Sequence, residues 1–564
     1  MTSPATLSTR PLTAGKPRFA TPAAQAAQRS QDDATAWSLA LDGADTAARL
    51  RSVQGDFAVA LQRPDGSHLL AVDRFARQTL CWRIVDGCLH VAERADELAR
   101  LAPAAELDLQ AVYDYLYFHV IPAPRTGFVG VQRLPAGHWA LFRDGRIEVR
   151  PYWVPEFNPQ AAGGADFGAL RDEFRGLLKQ AVSRQWDQGK PGCFLSGGTD
   201  SSTVAGMLKQ VAGQAASYSI GFEAEGYDEM AFARIAAKHF GTEHHEYYVT
   251  PDDLVRSIPD VAAHYDQPFG NSSAVPAFYC ARMARDDGIT RILAGDGGDE
   301  LFGGNKRYAT QRVFGVWDAL PGPLRGLLGP ALDNPLVGAL PLLKKGSSYV
   351  RQASVPLPDR LQTYNLLERL GVETVLPPAL LQRIDRQSPA RQQREVWGQP
   401  QRAGALDRQL AFDWRYTLAE NDLPKVCGTT TLAGLAVGFP MLDEDLVDFS
   451  TRLPTAYKLR GLKLRWFFKE ALRGFLPDEI ITKKKQGFGL PFGVWAVRHA
   501  ALNRLASDSL HSLAQRGLVQ PGFVQVLLGR HLPEHPGYYG EMVWILMMLE
   551  QWLQRHAPRF ALGR

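Results

Sequence analysis

A short apolar run, Cys193–Leu195, leads into Ser196-Gly197-Gly198-Thr199-Asp200-Ser201, and the residues that follow, SSTVAGMLKQV, have helical spacing. A buried strand turning into a helix through two glycines restricts the fold sharply. In a parallel sheet, ligands bind at the carboxyl ends of the strands. Glycines let the backbone turn tightly and approach an anion closely. The first turn of the next helix offers N–H groups that lack intrahelical partners. Ser196 and Ser201 add hydroxyl donors. Asp200 would repel a phosphate unless a cation lay between them, which assigns it to Mg²⁺. No Lys follows the glycines, so this is not a Walker A loop. Taken alone, such a turn is also an ordinary strand–helix connection.

The neighbouring pattern supplies the context. Ser217–Phe222, Glu243–Val249 and Arg291–Gly295 read as further strands with helical stretches between them. That alternation predicts a doubly wound parallel sheet, and the last part of the chain is mostly helical by period. The amino-terminal part differs. Asp56–Ala92 alternates apolar runs with turn signals at Pro64-Asp65-Gly66 and Asp86-Gly87. A helical segment near Leu107–His119 and a second hairpin around Asp144-Gly145 follow. The fold class is α/β: a β-rich domain over 38–155, a polar linker over 156–166, and a parallel-sheet domain over 167–564. Residues 1–37 read as a disordered tail. The first 31 residues lack any acid, and Pro4, Pro11, Pro17 and Pro22 interrupt an amphipathic helix.

Composition narrows the function. Lys+Arg 63 against Asp+Glu 59 leaves a formal charge of +4, with no basic footprint for nucleic acid. The five cysteines are scattered without a CxxC pair, which fits a reducing, cytoplasmic setting. The longest apolar run, Met542–Leu549, is far short of the ~20 residues a membrane span needs and reads as a buried helix. His244-His245 would point to opposite faces of a strand, so they read as structural. Arg74 and Trp139 read as fold residues.

Two further motifs follow in order: Gly295-Asp296-Gly297-Gly298-Asp299-Glu300-Leu301-Phe302-Gly303-Gly304, and Lys485-Gln486-Gly487-Phe488-Gly489-Leu490-Pro491. With the first loop they resemble the asparagine synthetase family, including its β-lactam synthetase and lasso-peptide cyclase relatives. The resemblance extends to Tyr227-Asp228-Glu229, Asp266-Gln267-Pro268-Phe269 and Pro440-Met441-Leu442-Asp443. AVDRFARQTLCW and LPAGHW resemble segments of the family's glutaminase domain. The resemblance implies an Ntn-hydrolase-like first domain and a pyrophosphatase-loop second domain that uses ATP and Mg²⁺. It places Leu195, Ser196, Gly197, Gly198, Asp200, Ser201, Ile220, Ala294 and Gly295 around the nucleotide. It assigns Asp200 and Asp299 to Mg²⁺, and Asp296 with Lys485 to catalysis. Asp296 stands where asparagine synthetases carry Glu and β-lactam synthetase Tyr.

The chain also departs from the family. A glutaminase needs an amino-terminal Cys, whereas residue 2 is Thr, and the RGPD and NGEIYN segments that hold glutamine are absent from residues 1–55. Glutamine hydrolysis is therefore expected to be lost. Where many members read LExRxPFLD, Ala436 and Gly438 replace the Glu and Arg. Smaller, uncharged residues there imply a roomier substrate site. The expected partners are a small-molecule or peptide carboxylate, an amine or ammonia donor, and by analogy a precursor peptide, a separate glutaminase or a second copy in a homodimer. No nucleic acid or membrane partner is expected. The resemblance implies ATP- and Mg²⁺-dependent amide-bond formation through an acyl-adenylate, by an ammonia-dependent asparagine synthetase, an intramolecular cyclase or an amidotransferase on a peptide or other biosynthetic intermediate; the rivals from other classes are an inactive nucleotide-fold scaffold and a tRNA-modifying enzyme.

Overall fold

The computed structural model describes residues 5–6, 11–101, 106–158, 164, 166–224, 226–326, 344–483 and 489–563. The first domain holds two antiparallel sheets. One contains β1 (Ala5–Thr6), β5 (Cys81–Val85), β6 (Cys88–Ala92) and β7 (Gln132–Arg133), in the order β1-β6-β5-β7. The other contains β2 (Leu12–Gly15), β3 (Phe57–Gln62), β4 (His68–Val72), β8 (His138–Arg143) and β9 (Arg146–Pro151), in the order β2-β3-β4-β8-β9. Both predicted two-residue turns form. Asp86 and Gly87 have φ of 49° and 77°, and Asp144 and Gly145 have 51° and 74°. Positive φ at both positions is the geometry that matches the twist of the flanking strands.

The segment 11–37 is folded, against the expectation of a tail. Pro22 is the first residue of the helix Pro22–Arg29, where its missing N–H costs nothing; Thr21 caps that helix, accepting from the Ala24 N–H at 3.4 Å. Pro17 contributes its carbonyl to Gln28 Nε2 (2.8 Å). Trp37, fully buried, lies edge-on between Phe19 (5.1 Å) and Phe57 (4.9 Å). The prolines thus start and fix elements, and the aromatic core holds them in place.

The second domain is built on five parallel strands: β10 (Gly192–Phe194), β11 (Ala216–Phe222), β12 (Glu243–Val249), β13 (Arg291–Leu293) and β14 (Ala436–Gly438). Their order is β12-β11-β10-β13-β14. The sequence indicates the first four; β14 comes from the Leu435–Asp443 segment and pairs in register with β13, Leu293 opposite Gly438. The strand order reverses between β10 and β13, so the loops leaving these two strands open a crevice. Met542–Leu549 is buried along its whole length inside the helix Pro536–His556, as an all-apolar helix requires. Among the described residues no helix is long and apolar enough to cross a membrane.

A buried ion-pair ladder joins the domains. Arg77 pairs with Asp73 (3.0 Å) in its own domain and with Glu444 (3.2 Å) in the other. Arg18 reaches Glu444 (2.8 Å) and Asp443 (3.3 Å), while Arg184 holds the other Asp443 oxygen (2.9 Å). The Gly55 N–H also donates to Glu444 Oε1 (2.9 Å). Arg74 adds Asp448 (2.7 Å) and lies over Trp153. The Pro440–Asp443 segment therefore ends in an interdomain fastening.

Candidate functional site

The crevice between the β10 and β13 loops opens into a cavity of about 1340 Å³. Leu195, Ser196, Gly198, Asp200, Ser201 and Ile220 line one side, and Gly295, Asp296 and Asp299 face them. Gly197 and Ala294 do not reach it. Gly197 has φ 69°, and a Cβ there would lie 2.4 Å from the Ala233 backbone nitrogen, so it lets the helix Met230–Phe240 pass close behind the loop. Ala294 is fully buried and donates its N–H to the Gly438 carbonyl (2.9 Å). Lys485 lies outside the described residues.

The first loop is held by its own hydroxyls. Ser196 and Ser201 Oγ atoms are 3.0 Å apart, and the Ser196 N–H donates to Ser201 Oγ (3.1 Å). No side chain caps the helix Thr199–Ala212, so its first N–H groups remain available at the cavity. The two loops touch directly: a Cβ on Gly295 would meet the Ser201 nitrogen at 2.7 Å.

Asp200 and Asp299 converge on one cationic position, occupied by the buried guanidinium of Arg465. Its Nη1 donates to Asp200 Oδ2, to Asp299 Oδ1 (both 2.7 Å) and to Thr199 Oγ1 (2.9 Å); Nη2 donates to Asp200 Oδ1. Space for the carboxylates comes from Gly298 and Gly304, where a Cβ would fall 2.0 Å from Asp200 Oδ1 and 1.8 Å from Asp299 Oδ1. Burial works against the Arg465 charge, but the two carboxylates outweigh it and hold the group protonated. The donor set, carboxylate and hydroxyl oxygens around one cation, suits Mg²⁺.

Asp296 faces Lys425 (3.5 Å), which also meets Asp422 (3.3 Å). Burial raises the Asp296 carboxyl, with Lys425 opposing. On Lys425 burial is outweighed by Asp422 and Asp296, so its ammonium is retained. Glu229 and Lys483 form a second ion pair on the wall (3.2 Å). The first domain contributes His119, 3.6 Å from Glu541; burial lowers it to about 4.

Arg465, Lys425 and Asp422 were not distinguishable in the sequence. Each is an ordinary charged residue in a helical region, and no local motif marks it. Ala436 and Gly438, expected to widen the substrate site, do not line the cavity. Ala436 is exposed; Gly438 is buried in the sheet, where a Cβ would crowd Leu293, Gln185 and Arg291. His244 hydrogen-bonds Ser217 (2.9 Å) and His245 stacks on Tyr218, and among the described residues no group of three or more His, Cys, Asp and Glu side chains could hold a metal.

The fold and this crevice define a two-domain protein with a nucleotide-type loop facing paired carboxylates. Comparison places it further. The asparagine synthase family matches residues 173–554, and the glutamine amidotransferase domain matches residues 24–153. Asparagine synthetase [glutamine-hydrolyzing] 1 of Bacillus subtilis is 23% identical over 86% of this chain and 74% of its own length. A putative asparagine synthetase of Mycobacterium tuberculosis is 27% identical over 79% of this chain and 67% of its own. The chain belongs to the asparagine synthase family, whose members form amides at the expense of ATP.

Proposed function

We propose that the protein activates a carboxylate as an acyl-adenylate and transfers the acyl group to an amine without hydrolysing glutamine itself. The observation that carries this reading is the meeting of the uncapped loop–helix turn with Asp200 and Asp299 in one crevice. A carboxylate oxygen attacks the α-phosphorus of ATP, and the bond to pyrophosphate breaks. Asp200 and Asp299 would hold Mg²⁺, which offsets the charge of the departing pyrophosphate. The amine then attacks the acyl carbon, loses a proton and displaces AMP. Asp296, half-buried and backed by Lys425, would orient the amine and accept that proton on its carboxylate. The family resemblance assigns Lys485 to the developing charge.

In this reading the amine is free ammonia or an amine of the substrate, since the RGPD and NGEIYN segments that hold glutamine in the family are absent from residues 1–55. The test is pyrophosphate release from purified protein with ATP, Mg²⁺, aspartate and either ammonium or glutamine. Asparagine and pyrophosphate with ammonium alone, both absent in Asp200→Ala, establish the aspartate reaction. Turnover with glutamine would overturn the loss of glutaminase. Retained ATP binding without turnover directs the search to larger acids. Absent ATP binding would refute the reading and leave a scaffold.

A further inference from the structure

A second cavity, of about 330 Å³, lies between the two domains. Lys16, Arg18 and Asp56 come from the first domain; Arg184, Gln185 and Arg291 come from the second. Arg18 and Arg184 are already paired with Asp443 and Glu444 and with Asp443 and Asp445. Arg291 is different. It is 6% exposed, its Nη2 donates to the neutral Gln185 Oε1 (3.0 Å), and its Nε has no hydrogen-bond partner. Among the described residues it makes no ion pair. A buried guanidinium with no carboxylate in contact is costly, since Asp56 and Asp187 act on it only from a distance, and an anion in the cavity would relieve that cost.

The absent side chain of Gly438 makes room for this arginine, since a Cβ there would lie 3.2 Å from Arg291 Nε. The cavity also holds an acidic pole. Asp56 accepts from Gln78 Nε2 (2.9 Å) and stays ionised: burial opposes this, but Arg77, Gln78 and Arg291 prevail. Asp56 and Arg291 line the same space without touching. A ligand carrying both charges would satisfy both poles.

We propose that this interdomain cavity binds a small zwitterion of the free amino-acid class, its carboxylate on Arg291 and its ammonium on Asp56. The volume equals about eleven waters at ~30 Å³ each, enough for one such molecule. The bound molecule touches both domains. It also sits at the start of β13, the strand whose far end carries Gly295, Asp296 and Asp299. The site is separate from the catalytic cavity and does not depend on the reaction proposed above.

Calorimetric titration of the full chain with L-glutamine, L-glutamate and L-aspartate tests it, with acetate and methylammonium as half-ligands. Saturable binding of at least one amino acid is expected, unchanged in Asp296→Asn and weakened about tenfold or more in both Arg291→Met and Asp56→Asn. Each half-ligand should bind more weakly than the whole molecule. No saturable binding by the three amino acids overturns the proposal. So does binding undiminished in Arg291→Met and Asp56→Asn, or binding lost only in Asp296→Asn, which would place it in the catalytic cavity. Acetate binding as tightly as the amino acids would refute the zwitterion. If Arg291→Met fails to fold, Asp56→Asn decides, with ATP binding as the check on its fold.

Discussion

Replacing Arg465 by Met removes the cation between Asp200 and Asp299 while keeping an unbranched side chain over Phe468, which the guanidinium now covers at 4.1 Å. Both carboxylates bond to the same Nη1 at 2.7 Å, so those oxygens lie at most about 5.4 Å apart, and at an effective dielectric of about 20 the repulsion is at least about 3 kcal/mol. Removing one partner from a buried pair typically costs about 3–5 kcal/mol, which agrees. Arg465→Met should therefore unfold at lower urea, with a loss of about 3 kcal/mol in metal-free buffer. Mg²⁺ should then recover most of it, since a ligand at a hundred times its Kd contributes about 2.7 kcal/mol. The nucleotide-free wild type should gain little from the same Mg²⁺, because Arg465 already occupies the position between the two carboxylates. Urea titrations with and without Mg²⁺ measure both effects. Adding Asp200→Asn to Arg465→Met should relieve the repulsion and remove the metal response. A variant as stable as wild type, or one indifferent to Mg²⁺, would refute the reasoning.

Two other outcomes are expected. Gly197→Ala places a side chain at φ 69° and 2.4 Å from the Ala233 nitrogen, whereas a Cβ on Gly198 meets only Ser196 Oγ at 3.3 Å. Gly197→Ala should lower the melting temperature and abolish ATP binding, at a cost above the ~1–2 kcal/mol of left-handed backbone alone, while Gly198→Ala is tolerated far better; equal effects would contradict this. For His119, burial lowers the folded-state value to about 4 from 6.5. Between those values the unfolded chain binds a proton that the folded chain refuses, so stability is lost as pH falls from 6.5 to about 4. In His119→Gln that slope should weaken by one proton, a relative gain of about 3 kcal/mol at the acid end. Parallel stability–pH curves would show that His119 titrates normally.

The parts of this protein legible in its sequence are those set by near neighbours. The β10 loop, its helix and the two Asp-Gly hairpins each depend on a few consecutive residues, and all form where the pattern places them. The partners of the site are long-range. Arg465 meets Asp200 across 265 residues and Asp299 across 166, and Lys425 meets Asp296 across 129. No local periodicity encodes such meetings. β14 has only three residues, too short to show alternation against its helical surroundings. The prolines of 11–37 mislead for a different reason: their effect depends on position, and at the first turn of a helix proline is favoured. Gly438 was read as an opening in the substrate site, when its missing side chain makes room for an arginine on the neighbouring strand.

The ladder that joins the domains has a consequence for how this protein can change over generations. Glu444 lies in the catalytic half, yet its counter-charges, Arg77 and Arg18, belong to the other. Deleting the first domain would take Arg77 and Arg18 from Glu444 and Arg18 from Asp443, and would strip the cover of Phe75 and Trp153 from Trp414. Whatever the first domain does with glutamine, the second depends on it for charge balance and cover, so the block cannot be shed without cost. The two halves are committed to a shared inheritance, and expressed separately they should each require the other for solubility.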